Sequence, residues 1–225
     1  AFLFKRAVRE TALRHKMYAS FMAKPMEKEP GSAMHIHQSV ISAKTGENIF
    51  SNTDGDASSL FYAYIGGLQR FLPASLSLLA PNVNSYRRLI RYHAAPINVQ
   101  WGLDNRTVGL RVPDSGRESR RVENRVPGAD ANPYLAIAAS LACGLLGMQQ
   151  KLDPSAPVTA SAYDMPYELP RSLEQSLEAL EHCDDLKEML GTRFVQAWNA
   201  VKESEYDTFL QVISSWEREH LLLNV

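Results

Sequence analysis

The chain has few cysteines, and their positions exclude a fold that depends on disulfides. Only Cys143 and Cys183 occur among the 225 residues, and neither belongs to a CxxC pair. Zinc modules and redox-active dithiols need such pairs, and small secreted domains need several bridges. Cys143 lies in an apolar run and is expected to be a small core residue. The sequence therefore predicts a protein of a reducing compartment, the cytoplasm.

Long apolar runs and an excess of one charge are also missing. No uninterrupted apolar stretch reaches the roughly 18 residues of a membrane-spanning helix, and no signal-peptide cleavage pattern follows the first helix. The 24 basic and 25 acidic side chains leave a formal net charge of −1. Nucleic-acid-binding domains are usually basic, either overall or over one dense patch. The sequence thus predicts neither membrane nor nucleic-acid binding.

Glycine-rich phosphate loops are absent, and so is lysine from residues 87–125. Neither GxxxxGK[ST] nor GxGxxG occurs, so any nucleotide has to be held by other groups. Arginine is frequent in the lysine-free span, whereas surface solubility would normally use both cations. An arginine-only stretch indicates recognition of planar anions such as phosphate and carboxylate.

The predicted elements follow the order of an α+β fold. Helices are expected at 2–17, from Ser58 or Ser59 to 79, and at 132–152, the last of them buried. Strands are expected at 18–24, 33–42, 96–103, 107–113 and 119–126. A Pro-rich surface connection, 151–170, leads to a helical tail, 171–225. Helices and strands do not alternate regularly, which favours an antiparallel sheet with packed helices.

Two sets of polar side chains share strand faces in these predicted strands. His35 and His37 are two residues apart, as are Arg121, Glu123 and Arg125, so each set points to one side. The histidine pair alone favours a polar strand face, and the charged triplet alone can be a solvated ion-pair ladder. A carboxylate between guanidiniums stays ionised, however, and suits a metal ligand. With the neighbouring arginines, the pattern indicates a metal-dependent enzyme that handles phosphate.

Four segments, in this order, resemble the C-terminal catalytic part of the glutamine synthetase family. They are "KPMEKEPGSAMHIHQS", "NSYRRLIRYHAAP", "DNRTVGLRVP" and "RRVENRVPGADANPYLA". The resemblance is specific over residues 1–150 and implies the family's catalytic-domain fold for the whole of 1–225. It implies an ATP-dependent carbon–nitrogen ligase that uses Mg²⁺ or Mn²⁺. L-glutamate becomes γ-glutamyl phosphate, and an amine nitrogen then displaces the phosphate.

The resemblance also implies a role for each matched residue. The metal ligands would be His35 and Glu123. The glutamate substrate would be bound by Gly31, His35, Arg88 and Arg125. ATP would be bound by His37, Ser39, Arg106, Arg111 and Arg121. Arg106 and Arg111 would be catalytic, because they offset charge on the transferring phosphoryl group.

Two positions depart from the pattern of the ammonia-using members. Ala94 stands where those enzymes carry a glutamate that helps to take a proton from the incoming nitrogen, and Pro30 replaces an asparagine. With the closing "SSWEREHLLLNV", both changes resemble the γ-glutamylpolyamine branch, whose typical member uses putrescine. We therefore expect a ligase that joins the γ-carboxylate of glutamate to putrescine or another polyamine. The alternatives are an ammonia-using glutamine synthetase and a non-catalytic family member.

The start of the chain predicts that the site is incomplete. The sequence begins at Ala1, directly in a helical pattern, and is expected to be a fragment of a longer protein. The family's N-terminal β-grasp domain and further metal-binding glutamates would precede it. The resemblance also implies homo-oligomers, dodecameric rings whose sites lie between subunits. The chain alone is therefore expected to be inactive or nearly so.

Overall fold

The computed structural model describes residues 1–225 and contains nine α-helices and four short strands. The helices are α1 (Phe2–Arg14), α2 (Ser59–Phe71), α3 (Leu76–Leu79), α4 (Val83–Tyr86), α5 (Pro133–Gln150), α6 (Leu173–Glu181), α7 (Asp184–Leu190), α8 (Thr192–Leu210) and α9 (Ser215–Leu221). The strands are β1 (Ile36–Gln38), β2 (Trp101–Leu103), β3 (Leu110–Val112) and β4 (Val122–Asn124). The predicted α+β class is confirmed.

The four strands form one sheet in the order β1-β4-β3-β2. β4 is antiparallel to both β1 and β3, whereas β2 and β3 are parallel. The sheet is therefore mixed rather than wholly antiparallel. The loop 104–109, which begins at Asp104 with a φ of 46°, returns the chain so that β3 runs in the direction of β2. This arrangement places β4, which carries Glu123, between two neighbours.

Local sequence signals explain where the two central helices begin. The Ser58 side chain accepts a hydrogen bond from the Phe61 amide at the start of α2. The Asn132 side chain does the same for the Tyr134 amide, with Pro133 at the first helical position of α5. These residue types satisfy amides that have no partner within the helix.

Two predicted elements differ in the structure. Residues 18–24 form no strand. At Lys24 the backbone pairs with a side chain instead of a strand: the Asn84 side-chain amide accepts from its N–H and donates to its carbonyl, both at 2.9 Å. The helix predicted to reach residue 79 ends at Phe71, and α3 follows as a separate turn. Pro73 explains this break, since proline has no N–H and its ring obstructs the preceding turn.

The core is centred on the packing of α2 against α5, the most extensive contact between two elements. Gly67 of α2 lies directly against Gly147 of α5, and a Cβ on either would overlap the backbone of the other helix. Gly144 in turn leaves space for the ring of Tyr64. Glycine at these positions allows the two helix backbones to approach closely.

Helix α5 is buried on one face only, which corrects the prediction of a buried helix. Its other face exposes Tyr134, Ile137, Leu141 and Leu145. The chain after Ser172 contains helices α6 to α9, and its first part packs on the core. None of the helices combines the length and the apolarity that a membrane-spanning segment requires.

Candidate active site

Glu123 lies at the middle of the sheet and faces residues of both neighbouring strands. It is paired in register with His37 of β1 and with Arg111 of β3. Side chains of directly opposed residues lie on the same face of a sheet, about 5 Å apart. The polar face predicted from β1 and β4 therefore extends to β3.

The Glu123 carboxylate is almost completely buried and has three charged or ionisable neighbours. Its Oε1 lies 2.9 Å from His35 Nδ1 and accepts a hydrogen bond from Arg125 Nη1 at 3.0 Å. Its Oε2 accepts from Arg111 Nη1 at 2.8 Å. A buried carboxylate stays ionised only when its oxygens are hydrogen-bonded and paired with positive charges. These four residues, which we call the Glu123 cluster, form a preorganised charged site.

The protonation states of the cluster follow from burial and from these contacts. Burial disfavours the charged form of Glu123, but the hydrogen bond from Arg111 and the positive charge of Arg125 outweigh it and lower the pKa of the carboxyl. Burial, reinforced by the charge of Arg125 against the opposing charge of Glu123, lowers the pKa of His35 to about 4. Near neutral pH the site therefore contains a carboxylate and a neutral imidazole.

A carboxylate beside a neutral imidazole is a suitable partial donor set for a divalent cation. Glu123 and His35 supply these donors, while no group of three or more histidine, cysteine, aspartate or glutamate side chains within residues 1–225 could hold a metal. Two protein ligands leave most coordination positions of Mg²⁺ or Mn²⁺ to other groups. The cluster thus fits one part of a metal site rather than a complete one.

Arg88 lies beneath this cluster, and Gly31 is packed against its stem. The Arg88 guanidinium donates to the Val126 carbonyl, and only 2% of the residue is exposed. Burial lowers the pKa of Arg88 to about 10, although nearby Asp130 opposes this shift. A Cβ at residue 31 would overlap both the Ala23 carbonyl and the Arg88 side chain. Gly31 is therefore needed for close packing over the arginine.

The buried arginines retain donor capacity that the protein does not use. The Nε–H groups of Arg88, Arg111 and Arg125 are buried and have no hydrogen-bond partner. Leaving a buried donor unpaired costs free energy, so such groups are usually satisfied by water or a ligand. Three unpaired guanidinium donors next to a metal-suited carboxylate are consistent with an anion site.

The remaining matched residues lie at the edge of the Glu123 cluster or make no contact with it. Arg121 Nε donates to His37 Nδ1 at 3.3 Å, and its Nη1 donates to the Ser119 carbonyl. This differs from the predicted triplet, because Arg111 rather than Arg121 contacts Glu123. Ser39 and Arg106 are exposed, and their side chains make no hydrogen bond or ion pair within residues 1–225.

Two acidic residues of the site were not predicted from the sequence. Asp104 accepts a hydrogen bond of 2.6 Å from Arg111 Nη2 and so holds that guanidinium from its second side. Asp130 accepts from Asn82 and from Ser85, at 2.8 and 2.6 Å, and lies close enough to Arg88 to affect its pKa. Both are separated from their partners in sequence by turns, so no alternation pattern indicated them.

Comparison with known proteins identifies the family. The family model "Glutamine synthetase, catalytic domain" matches residues 1–221. The chain is 42% identical to gamma-glutamylputrescine synthetase PuuA of Escherichia coli (strain K12), over 100% of this chain and 48% of that protein. It is 40% identical to Type-1 glutamine synthetase 2 of Dictyostelium discoideum, over 99% of this chain and 44% of that protein.

Further relatives include a ligase and a solved structure. Identity to glutamate–isopropylamine ligase of a Pseudomonas species is 37%, over 96% of this chain and 48% of that protein. The structure described as "Apo GmaS without ligand" superimposes with a TM-score of 0.88 at 35% identity, over 98% of this chain and 52% of that one. The chain spans about half the length of the curated relatives it matches. It belongs to the glutamine synthetase family.

Proposed function

We propose that the protein containing this chain is an ATP-dependent ligase that joins the γ-carboxylate of L-glutamate to an amine, with putrescine or another polyamine as the acceptor. The Glu123 cluster carries the proposal. Its buried carboxylate, neutral imidazole and unpaired guanidinium donors suit a metal-bound polyphosphate next to a second anion. Similarity to ligases for putrescine and isopropylamine supports an amine acceptor.

The residues of the cluster and the other residues matched to the family would have distinct roles. Arg88 and Arg125 would hold the glutamate so that its γ-carboxylate oxygen lies in line with the γ-phosphorus of ATP. Arg111, aided by Arg106, would offset the negative charge that develops during phosphoryl transfer. His37, Ser39 and Arg121 would contact the nucleotide.

His35 and Glu123 would hold Mg²⁺ or Mn²⁺ together with donors from outside the chain. The bound cation would neutralise charge on the ATP phosphates. We expect those missing donors on the rest of the protein or on a second subunit. We also propose a homo-oligomer, because the resemblance to the family implies one. Light scattering of the full-length protein measures its subunit number.

Ammonia is the second candidate acceptor, because several glutamine synthetases are also closely similar. Ala94 argues against ammonia, because its methyl side chain cannot accept the proton of an ammonium nitrogen. A methyl group there also leaves more space for a substituted amine.

Phosphate release from ATP by the full-length protein tests the proposal. The reaction contains Mg²⁺ and L-glutamate, and ammonia, putrescine, longer polyamines and monoamines are compared side by side. We expect kcat/KM for putrescine to be far above that for ammonia. Preference for ammonia would assign the protein to the glutamine synthetases, and no release with any amine would indicate a non-catalytic member.

A further inference from the structure

The loop that carries Ala94 has an unusual backbone. Tyr92 and Ala94 both have positive φ angles, 62° and 58°, although neither is glycine. Left-handed non-glycine residues are uncommon, and they persist where surrounding contacts hold them and often near functional sites. Arg91 supplies such contacts: its Nη2 donates to the Met165 carbonyl at 3.0 Å, and its guanidinium lies 5.1 Å from the centre of the Tyr167 ring.

The strained loop presents an aromatic face beside a carboxylate. The Tyr92 hydroxyl donates to Asp164 Oδ1 at 3.0 Å, and its ring lies 5.4 Å from the buried ring of Tyr163. Tyr92 itself is 68% exposed. Ammonium groups bind to the faces of aromatic rings and to anions. An exposed phenol ring held against a carboxylate is therefore a suitable site for an organic ammonium group.

Tertiary contacts connect the Tyr92–Asp164 pair to the Glu123 cluster. The turn at Ala162–Asp164 is anchored by the Ala162 backbone, whose N–H donates to Thr107 Oγ1 and whose carbonyl accepts from Asn98 Nδ2. The charge of Arg125 reaches the Tyr163 hydroxyl, where it opposes the effect of burial on the pKa of that group. Asn98 in turn packs against Gly109, whose carbonyl accepts a hydrogen bond of 2.9 Å from the Arg125 N–H. These contacts link the turn that carries Asp164 to Arg125 of the cluster.

We propose that Tyr92 and Asp164 bind the second ammonium group of a diamine acceptor while its first nitrogen reacts at the cluster. The methylene chain would lie along the Tyr92 ring, and the ammonium would donate to the Asp164 carboxylate. An ammonium has three donors and a carboxylate has two oxygens, so the hydrogen bond from Tyr92 can remain. This inference rests on the proposed function and deepens it: the pair would select diamines over monoamines of equal length.

The selectivity ratio of the full-length enzyme tests the proposal. It is kcat/KM for putrescine divided by kcat/KM for n-butylamine, which has the same chain without the second nitrogen. We expect Asp164→Asn to lower the ratio about fivefold, the effect of losing one partly exposed charge pair. Tyr92→Leu should also lower it, whereas Tyr92→Phe keeps the ring and should retain most of it. Asp207→Asn, an exposed aspartate on α8, is the matched control and should not change the ratio.

Two outcomes would overturn the inference. One is that Asp164→Asn changes kcat/KM for neither amine. The other is an equal loss for both amines, which would indicate that the pair only supports the loop.

Failure of the proposed function can be recognised separately by calorimetric titration with putrescine. If the wild-type enzyme uses only ammonia but Asp164→Asn weakens putrescine binding, the function is wrong and the diamine site stands. If the wild-type enzyme does not bind putrescine at all, the diamine site is wrong too.

Discussion

Glu123→Gln is the most informative substitution for the charged cluster, because it removes one charge and little volume. In the native site the carboxylate accepts from Arg111 at 2.8 Å and from Arg125 at 3.0 Å. The side chain of Glu123 is 5% exposed, and those of Arg125 and Arg111 are 9% and 18% exposed. The amide would leave both guanidiniums buried without their shared counter-charge.

The expected loss of stability follows from this burial. Removing one partner of a buried ion pair costs about 3 to 5 kcal/mol, because the remaining charge is desolvated and unpaired. The lower end applies here, since glutamine still accepts one hydrogen bond and Arg111 keeps Asp104 as a partner. We therefore expect a loss of about 3 kcal/mol. Glu47→Gln is the matched control: its pair with Arg117 is well exposed and should contribute less than about 1 kcal/mol.

Urea unfolding at fixed protein concentration, without metal or nucleotide, measures the free energy of unfolding of both variants. Glu123→Gln should lower the urea midpoint strongly at both low and high NaCl concentration, since a buried pair is little screened. The small effect of Glu47→Gln should shrink as salt is added. Equal losses for the two variants would refute the view that the cluster holds its charges in a buried, mutually compensated state.

Three further predictions concern helix packing, pH and acceptor choice. Gly67→Ala should lower the melting temperature by several degrees, because its Cβ would overlap the Cys143 carbonyl on α5, whereas Gly116→Ala meets open space and should have little effect. His35 has a folded-state pKa of about 4, below its ordinary value of 6.5. Between about pH 4 and 6.5 the unfolded chain therefore binds a proton at this residue that the folded chain does not. Stability should therefore fall as pH drops from about 6.5 to 4, by at most about 3 kcal/mol, and His35→Asn should flatten this part of the urea-midpoint profile. Ala94→Glu should shift acceptor preference towards ammonia, seen as a putrescine-to-ammonia ratio of kcat/KM that is lower by about tenfold; an unchanged ratio would mean that residue 94 does not choose the acceptor.

Local chemistry in the sequence was enough to predict several elements. Ser58 and the Asn132–Pro133 pair marked helix starts correctly, because capping depends on groups only two or three residues away. Strand boundaries were less accurate. The predicted strand 33–42 contains only the three residues of β1, since ladder pairing depends on a partner that is distant in sequence.

The sequence by itself determined the histidine, the glutamate and the arginines of the site, though not its two aspartates. The alternation of side chains along a strand predicted that Glu123 and Arg125 share one face, as do His35 and His37, and the ordered motifs identified the family. Both conclusions rest on residue type and spacing, which the printed chain contains in full.

Only the tertiary structure decided which of those groups meet. Alternation offered Arg121 as a partner of Glu123, but residues two apart on one strand are separated by about 7 Å, and directly opposed residues by about 5 Å. Arg111 of the adjacent strand therefore provides the contact, while Arg125 reaches Glu123 from beyond the end of β4. Asp104 and Asp130 reach the site through turns, and a linear pattern has no means of showing contacts that chain reversal creates.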